Sequence, residues 1–395
     1  MGLFFQGKTN YKAQSLSAVA WKKFYRNKQG MFLLCFLSVI TVLAALGYLI
    51  TPDSTPYANE QILEIRLLKP MSKVSFLEIE KTHPVEKRNI IQKMLHGQPS
   101  MYTSIPVSSC YLTKDSIVAE LLNEFPPYNI IRYSLEDVVY RTKTKTYFLG
   151  TDRYGRDVLS QLIIGARVSL SVGFVSVFIA LIIGVFLGAV AGYFRGRIDD
   201  VIMWFINVVW SIPTLLLVIA ISFVLGTGFW QIFIAIGLTM WVDIARVVRG
   251  QVISLREKEF VEASKALGFR SLTIIFKHIL PNITGTIIVI AAANFASAIL
   301  TEASLSFLGI GVQPPMPSWG TMIKEYYGYI IFDYAHLAII PGFAIMLLVL
   351  CFMLMGNVLR DVMDVKGGIV SIAVKFDFVF LCFLTYVPKK STIHK

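Results

Sequence analysis

The chain has 395 residues, 55% of them hydrophobic and 16% charged, with a mean hydropathy of +0.64; that balance excludes an ordinary soluble domain and points to a polytopic membrane protein. In such a chain the formal charge of +12 reports the positive-inside bias and contact with anionic lipid, so nucleic acid is not an expected partner. Cys35, Cys110, Cys351 and Cys382 lack metal-ligand spacing, so neither a zinc site nor a disulfide framework is expected.

Residues 1–30 carry Lys8, Lys12, Lys22, Lys23, Arg26 and Lys28 without one acid, which assigns a basic N-terminus to the cytoplasm. Gly2 to Thr9 spell the phosphate-loop pattern G-x-x-x-x-G-K-T. That pattern needs a strand feeding the loop, and none precedes it, so a basic tip is expected instead. Residues 31–50 are an uncharged run of 20, enough as a helix for one crossing.

Residues 51–147 read as a small α+β insert on the outer side, with strands expected around 129–134 and 137–141 and short helices around 62–68 and 85–95. It holds no nucleophile or acid–base constellation. The segment Leu149-Gly150-Thr151-Asp152-Arg153-Tyr154-Gly155-Arg156-Asp157 reads as a tight turn at its glycines followed by a helix that Asp157 caps.

The second span lies between Arg167 and Arg195, where no charge occurs. Its Gly184, Gly188 and Gly192 recur every fourth residue, a spacing that lets helix backbones approach closely. The 42 uncharged residues between Asp200 and Asp243 are too many for one crossing, so two spans are expected with a turn at Gly226 to Gly228. Pro213 falls inside the earlier of the two and is expected to kink it.

Ionisable and polar residues at membrane depth are candidates for the translocation path. Asp243 is one, with an ion pair to Arg246 as the competing structural reading; Asn294 and Glu302, in a fifth span over 283–307, are the others. For Glu302 a water-filled pathway and an inter-helix hydrogen bond are the two alternatives. A sixth span covers 337–359. Alternation from a cytoplasmic N-terminus puts 195–200, 246–282 and the chain from 360 on the same side, and these segments carry the Lys and Arg.

The polar stretch within 250–282 is the most informative. Phe260, Ala263 or Ser264, and Leu267 give one narrow apolar face, Gly268 supplies a helix stop, and a second short helix over 271–279 leads to Pro281. A helix lying on lipid explains the amphipathicity but not the break.

Glu262-Ala263-Ser264, Gly268 and Leu280-Pro281 resemble the coupling loop of ATP-binding-cassette importer permeases, E-A-A, three residues, G, nine residues, I-x-L-P, with Ser264 for the second Ala and His278 for the Ile. The 149–157 motif, Glu302 to Gly311 and Gln313 to Gly320 are similar to the dipeptide, oligopeptide and nickel subfamily, specifically the second permease of the pair. The resemblance implies an all-α polytopic fold with six transmembrane helices, the 51–147 insert between the first two, and a permease core over 148–366. It implies a peptide or related small solute, no enzymatic activity or cofactor on this chain, and ATP with Mg on a separate ATPase. The implied partners are a homologous second permease, two cytoplasmic ATPase subunits that meet Phe260, Glu262, Ala263, Ser264, Leu267, Gly268 and Pro281, an extracytoplasmic solute-binding protein, and membrane lipid. The insert is longer than that subfamily leads one to expect, and 367–395 form an additional tail, moderately apolar but broken by Lys375 and Asp377. An ion-coupled secondary transporter and a membrane receptor with a ligand-binding insert are the competing readings.

Overall fold

The computed structural model describes residues 16–83, 85–113, 115–122, 130–134, 139–226 and 228–363. The phosphate-loop pattern at Gly2 to Thr9 and the 367–395 tail lie outside them. Chain order begins with α1 (Leu16–Arg26), α2 (Lys28–Ala45) and α3 (Gly47–Ile50), which extends α2 to the end of the apolar run. Asn27 caps α2 by accepting from Gly30 N at 3.0 Å, and Phe24 of α1 is buried against Val358 and Val362 near the chain's last described helix.

The insert is a five-stranded antiparallel sheet, order β4-β3-β2-β1-β5, built from β1 (Ser72–Glu80), β2 (Tyr102–Leu112), β3 (Ser116–Leu121), β4 (Ile130–Ser134) and β5 (Tyr140–Tyr147), with α4 (Ile90–His96) between β1 and β2. Strands near 130–134 and 140 agree with the pattern reading; β1, β2 and β3 were not expected. β1 runs through the middle of both small cores: Val74 and Phe76 pack with Ile62, Ile65 and Tyr147 on one face, while Leu77 packs with Val107, Ile117 and Ala119 on the other. Burial on both faces removes the simple polar alternation by which a half-exposed strand is recognised.

The helical body follows: α5 (Val158–Phe194), α6 (Gly196–Trp210), α7 (Thr214–Leu225), α8 (Phe229–Arg256), α9 (Glu259–Ala266), α10 (Ser271–Thr273), a π-helical turn over Ile274–Ile279, α11 (Leu280–Leu308), α12 (Trp319–Tyr326) and α13 (His336–Met363). Five helical stretches are long and apolar enough to cross a membrane, and a sixth is obtained if α6 and α7 count as one broken span. Pro213 does more than kink that span. Ser211 and Ile212 leave the helix, Pro213 opens α7, and the two axes differ by 92°. The helix that Asp157 caps is not separate from span two: α5 is continuous for 37 residues, about 55 Å, with Asp157 accepting from Ser160 N at 2.9 Å.

α5 and α8 form the centre of the body. A Cβ at Gly184 would lie 2.7 Å from Trp241 O, at Gly188 2.5 Å from Ala245 O, and at Gly192 2.7 Å from Arg249 O. The numbers rise together along both helices, so α5 and α8 run parallel. α6 returns along α8 in the opposite sense, from the bidentate pair of Arg249 with Asp199 at 2.6 and 2.7 Å to Phe205 stacked on Trp241. α11 is antiparallel to α5, with Phe295 beside Gly173 and Glu302 beside Ser169. α13 is antiparallel to α11, with Met363 beside Gly285 and Gly356 beside Ala292. These directions gather α1, the α8–α9 turn, the start of α11 and the end of α13 at one end of the body, and the sheet and α12 at the other.

Candidate functional site

At the first of these ends the chain leaves α8 and forms an elbow. α9 closes with Phe269 N donating to Ser264 O at 3.2 Å and Gly268 N to Lys265 O at 2.9 Å, the paired bonds of a helix stop that requires a left-handed residue, here Gly268 at φ +79°. Only two α9 residues face the body: Val261 is fully buried with Val252, Ile274 and Ile275, and Ser264 is buried with its hydroxyl on Phe260 O at 2.7 Å. Phe260, Glu262, Ala263, Leu267 and Gly268 are exposed, Leu267 at 77%, and Phe269 continues the patch. The apolar stripe expected from spacing therefore points outward through Phe260, Ala263 and Leu267, while Ser264 belongs to the inner face.

Spacing gave no signal for Val261 or for Tyr193, which ties the elbow to α5. The Tyr193 ring lies 5.8 Å from both the Arg256 guanidinium and the Lys265 ammonium, and Arg195 pairs with Glu257 at 3.2 Å. Pro281 is exposed in the first turn of α11, where its missing N–H costs no helix bond. Continuous helix from α10 through the π turn into α11 makes this second arm a direct extension of a membrane-length helix.

The translocation-path candidates do not converge. Asp243 is exposed on α8 and pairs with no cation among the described residues; Arg246 instead donates to Asn207 Oδ1 at 2.8 Å and stacks 3.9 Å over Trp210. Asn294 is buried in α11 with its Nδ2 unpartnered among the described residues. Glu302, two turns further on, is fully buried. Ser306 Oγ donates to it at 2.7 Å and Ser169 Oγ at 3.4 Å, and Ser306 in turn meets Val312 N and Ser318 Oγ. The carboxylate thus joins α5, α11 and the turn that leads to α12.

At the opposite end the 149–157 motif builds a buried polar knot. Gly150 and Gly155 have φ of +77° and +74°, and a Cβ at Gly155 would fall 1.7 Å from Ile62 O, so only glycine lets the insert close onto this turn. Asp152 accepts at Oδ1 from Tyr154 N and Arg156 N, at 2.8 and 2.9 Å, and at Oδ2 from Arg156 Nε, Tyr326 OH and Gln161 Nε2, at 2.6, 2.9 and 3.2 Å. Arg156 also reaches Glu325 at 3.1 Å. Burial disfavours the charged guanidinium, yet Asp152, Tyr326 and Glu325 together outweigh it and hold Arg156 above its ordinary value. Burial, then the Asp152 charge, push the Tyr326 hydroxyl up. Thr151 Oγ1 accepts from Leu68 N at 2.8 Å and donates to Ile65 O. The knot therefore clamps insert, α5 and α12 together.

Residues 184–365 match the family described as binding-protein-dependent transport system inner membrane component, and residues 15–70 match the N-terminal TM domain of oligopeptide transport permease C. The glutathione transport system permease protein GsiD of Pectobacterium atrosepticum is 38% identical over 240 residues, 61% of this chain and 79% of that protein. The dipeptide transport system permease protein DppC of Alkalihalophilus pseudofirmus is 44% identical over 220 residues, 56% of this chain and 72% of that protein. The oligopeptide transport system permease protein OppC of Bacillus subtilis is 37% identical over 249 residues, 61% of this chain and 79% of that protein. With the membrane-length helices and these relatives covered over more than two thirds of their length, the chain belongs to the family of binding-protein-dependent transport system inner membrane components.

Proposed function

We propose that this chain is a permease subunit of an ATP-binding-cassette importer for peptides, working beside a similar second permease, two cytoplasmic ATPase subunits and an extracytoplasmic binding protein. ATP and Mg belong to the ATPase in this reading. The elbow at Gly268 carries the proposal: α9 buries only Val261 and Ser264 among its described residues and turns Phe260, Ala263 and Leu267 outward, as a helix presented to a groove does. Its links to Tyr193 and to α11 give a push on α9 a route into two membrane-length helices. The peptide class rests on the names of the relatives.

The bilayer orientation follows the same reading. A basic α1 sits at the elbow's end of the body, which supports placing both in the cytoplasm and the sheet outside. Parallel α5 and α8 require the chain between them to return the full height of the body, which supports counting α6 and α7 as one broken crossing and the total as six.

The test is reconstitution of the permease pair with its ATPase and binding protein in vesicles. Leu267→Glu places a charge in the expected contact, and loss of an apolar anchor costs about 2–4 kcal/mol, more than tenfold in ATPase affinity. Uptake and binding-protein-stimulated ATP hydrolysis should fall in Leu267→Glu and in Glu262→Ala with the permease still inserted. Wild-type uptake and stimulation in both variants would refute the coupling role.

A further inference from the structure

The insert carries a feature that neither transport nor the polar knot uses. α4 leaves three large aliphatic side chains open, Ile90 at 76%, Ile91 at 69% and Leu95 at 45% exposure, with Ile91 and Leu95 one turn apart on the same face. Clustered exposed aliphatics on so short a helix mark a contact. The helix is also held firmly in place. Arg88 donates from its guanidinium to His96 O and Gly97 O at 3.0 and 2.9 Å, Gln98 accepts from Arg88 N at 3.0 Å and donates to Glu86 O at 2.9 Å, and Gln98 N donates to Ser54 O at 2.8 Å. The last bond ties α4 to the chain just beyond α3.

Its height on the molecule follows from Arg167. This residue opens the uncharged stretch of α5 that ends at Arg195, so it marks one edge of the apolar zone. Its guanidinium donates to Met94 O of α4 at 2.9 Å and lies 5.7 Å over the ring of Tyr48 in α3. Tyr48 is buried, so the marker is Arg167: an Arg at the end of an apolar run anchors a helix at the membrane–water boundary. α4 therefore stands at that boundary. α3 packs against α4 and leaves Leu49 and Ile50 exposed, so apolar surface at the end of the first span neighbours that of α4, and Lys87 just before α4 and Lys93 within it have stems long enough to reach lipid phosphates.

We propose that α4 is a membrane anchor of the insert: Ile90, Ile91 and Leu95 enter the interfacial layer of phospholipid next to the end of the first span, and the sheet is thereby fixed against the bilayer. The occupant is lipid rather than a protein partner, because the patch neighbours the exposed end of the first span and carries Lys87 and Lys93 beside it. It requires only that the apolar helices span the bilayer, not that the chain is an importer.

The test places the photocrosslinker p-benzoylphenylalanine at position 91 of the full chain, reconstituted in vesicles of phosphatidylethanolamine and phosphatidylglycerol, and measures phospholipid adducts by mass spectrometry. Position 50 on α3 serves as the lipid-facing reference and position 143, exposed on β5, as the solvent reference. Adducts at 91 comparable with position 50 and at least about fivefold above position 143 are expected. Adduct yield at the level of position 143 overturns the proposal, as does crosslinking of 91 to a second copy or to a partner subunit. All three positions are exposed, so the labelled proteins fold; as a second readout, Ile91→Ser with Leu95→Ser should lose hydrogen-exchange protection over residues 88–97 in the same vesicles, and unchanged protection would also count against the anchor.

Discussion

Replacing Asp152 by asparagine exchanges one carboxylate oxygen for an amide nitrogen and leaves the volume unchanged. Three donors converge on Oδ2, from Arg156, Gln161 and Tyr326, and two backbone N–H groups on Oδ1. An amide can satisfy one set only: with its oxygen on the backbone pair, its NH2 faces three donors, and with the group flipped, the two N–H groups lose their acceptor. In either pose the buried Arg156 charge is left with Glu325, which is partly exposed. Removing one partner of a buried ion pair costs about 3–5 kcal/mol. At about 2 °C per kcal/mol for a large chain, melting should drop by about 6–10 °C. Thermal unfolding of the purified protein in detergent, followed by light scattering or intrinsic fluorescence, measures this, with Asp115→Asn on the exposed surface as a control expected within about 0.5 kcal/mol of wild type. A loss under about 1 kcal/mol for Asp152→Asn would refute the view that this carboxylate clamps the insert to the helical body.

Two further expectations concern packing and pH. Gly188→Ala puts a Cβ 2.5 Å from Ala245 O and should destabilise by about 1–3 kcal/mol through overpacking, whereas Gly250→Ala meets nothing within 4 Å and should be neutral or stabilising by up to about 1 kcal/mol through helix propensity; equal melting shifts would disprove the close α5–α8 contact. Burial raises the Asp157 carboxyl above its ordinary value, against the hydrogen bonds from Ser160 and the charge of Lys145. The folded chain therefore holds this proton more tightly than the unfolded one, so its stabilising contribution is full below the ordinary carboxylate range and is lost as pH rises through the raised value. Asp157→Asn keeps a capping side chain but does not titrate, so its melting temperature should gain on wild type as pH rises above the ordinary carboxylate range; a difference constant with pH would contradict the assignment.

The features legible in the sequence were those whose causes are local. Asp157 caps α5 and Gly268 stops α9 because both act within one turn of themselves, and charge-free runs locate the long helices because a bilayer core tolerates few charges. β1 was missed because Phe76 and Leu77 are adjacent and both buried. The Asp152 knot was read as a plain turn because Tyr326 is 174 residues away. Asp243 and Arg246 are close in sequence, but Trp210 and Asn207, which draw Arg246 away, are contributed by α6. The outward stripe on α9 was legible, and the side on which Ser264 falls was not, since Val261 rather than Leu267 is the residue that docks.

The glycine contact between α5 and α8 has a mechanical meaning. Three backbone carbonyls of α8 rest against three side-chain-free positions of α5 at matching four-residue intervals, so neither helix can roll or be pressed nearer without backbone striking backbone. The pair behaves as one rigid body. Under the proposed coupling role, rocking imposed at Gly268 would carry α5 and α8 as a single rigid strut, and the Ser211–Pro213 corner, where the chain turns through 92°, is a break in helix within the α5–α8 connection.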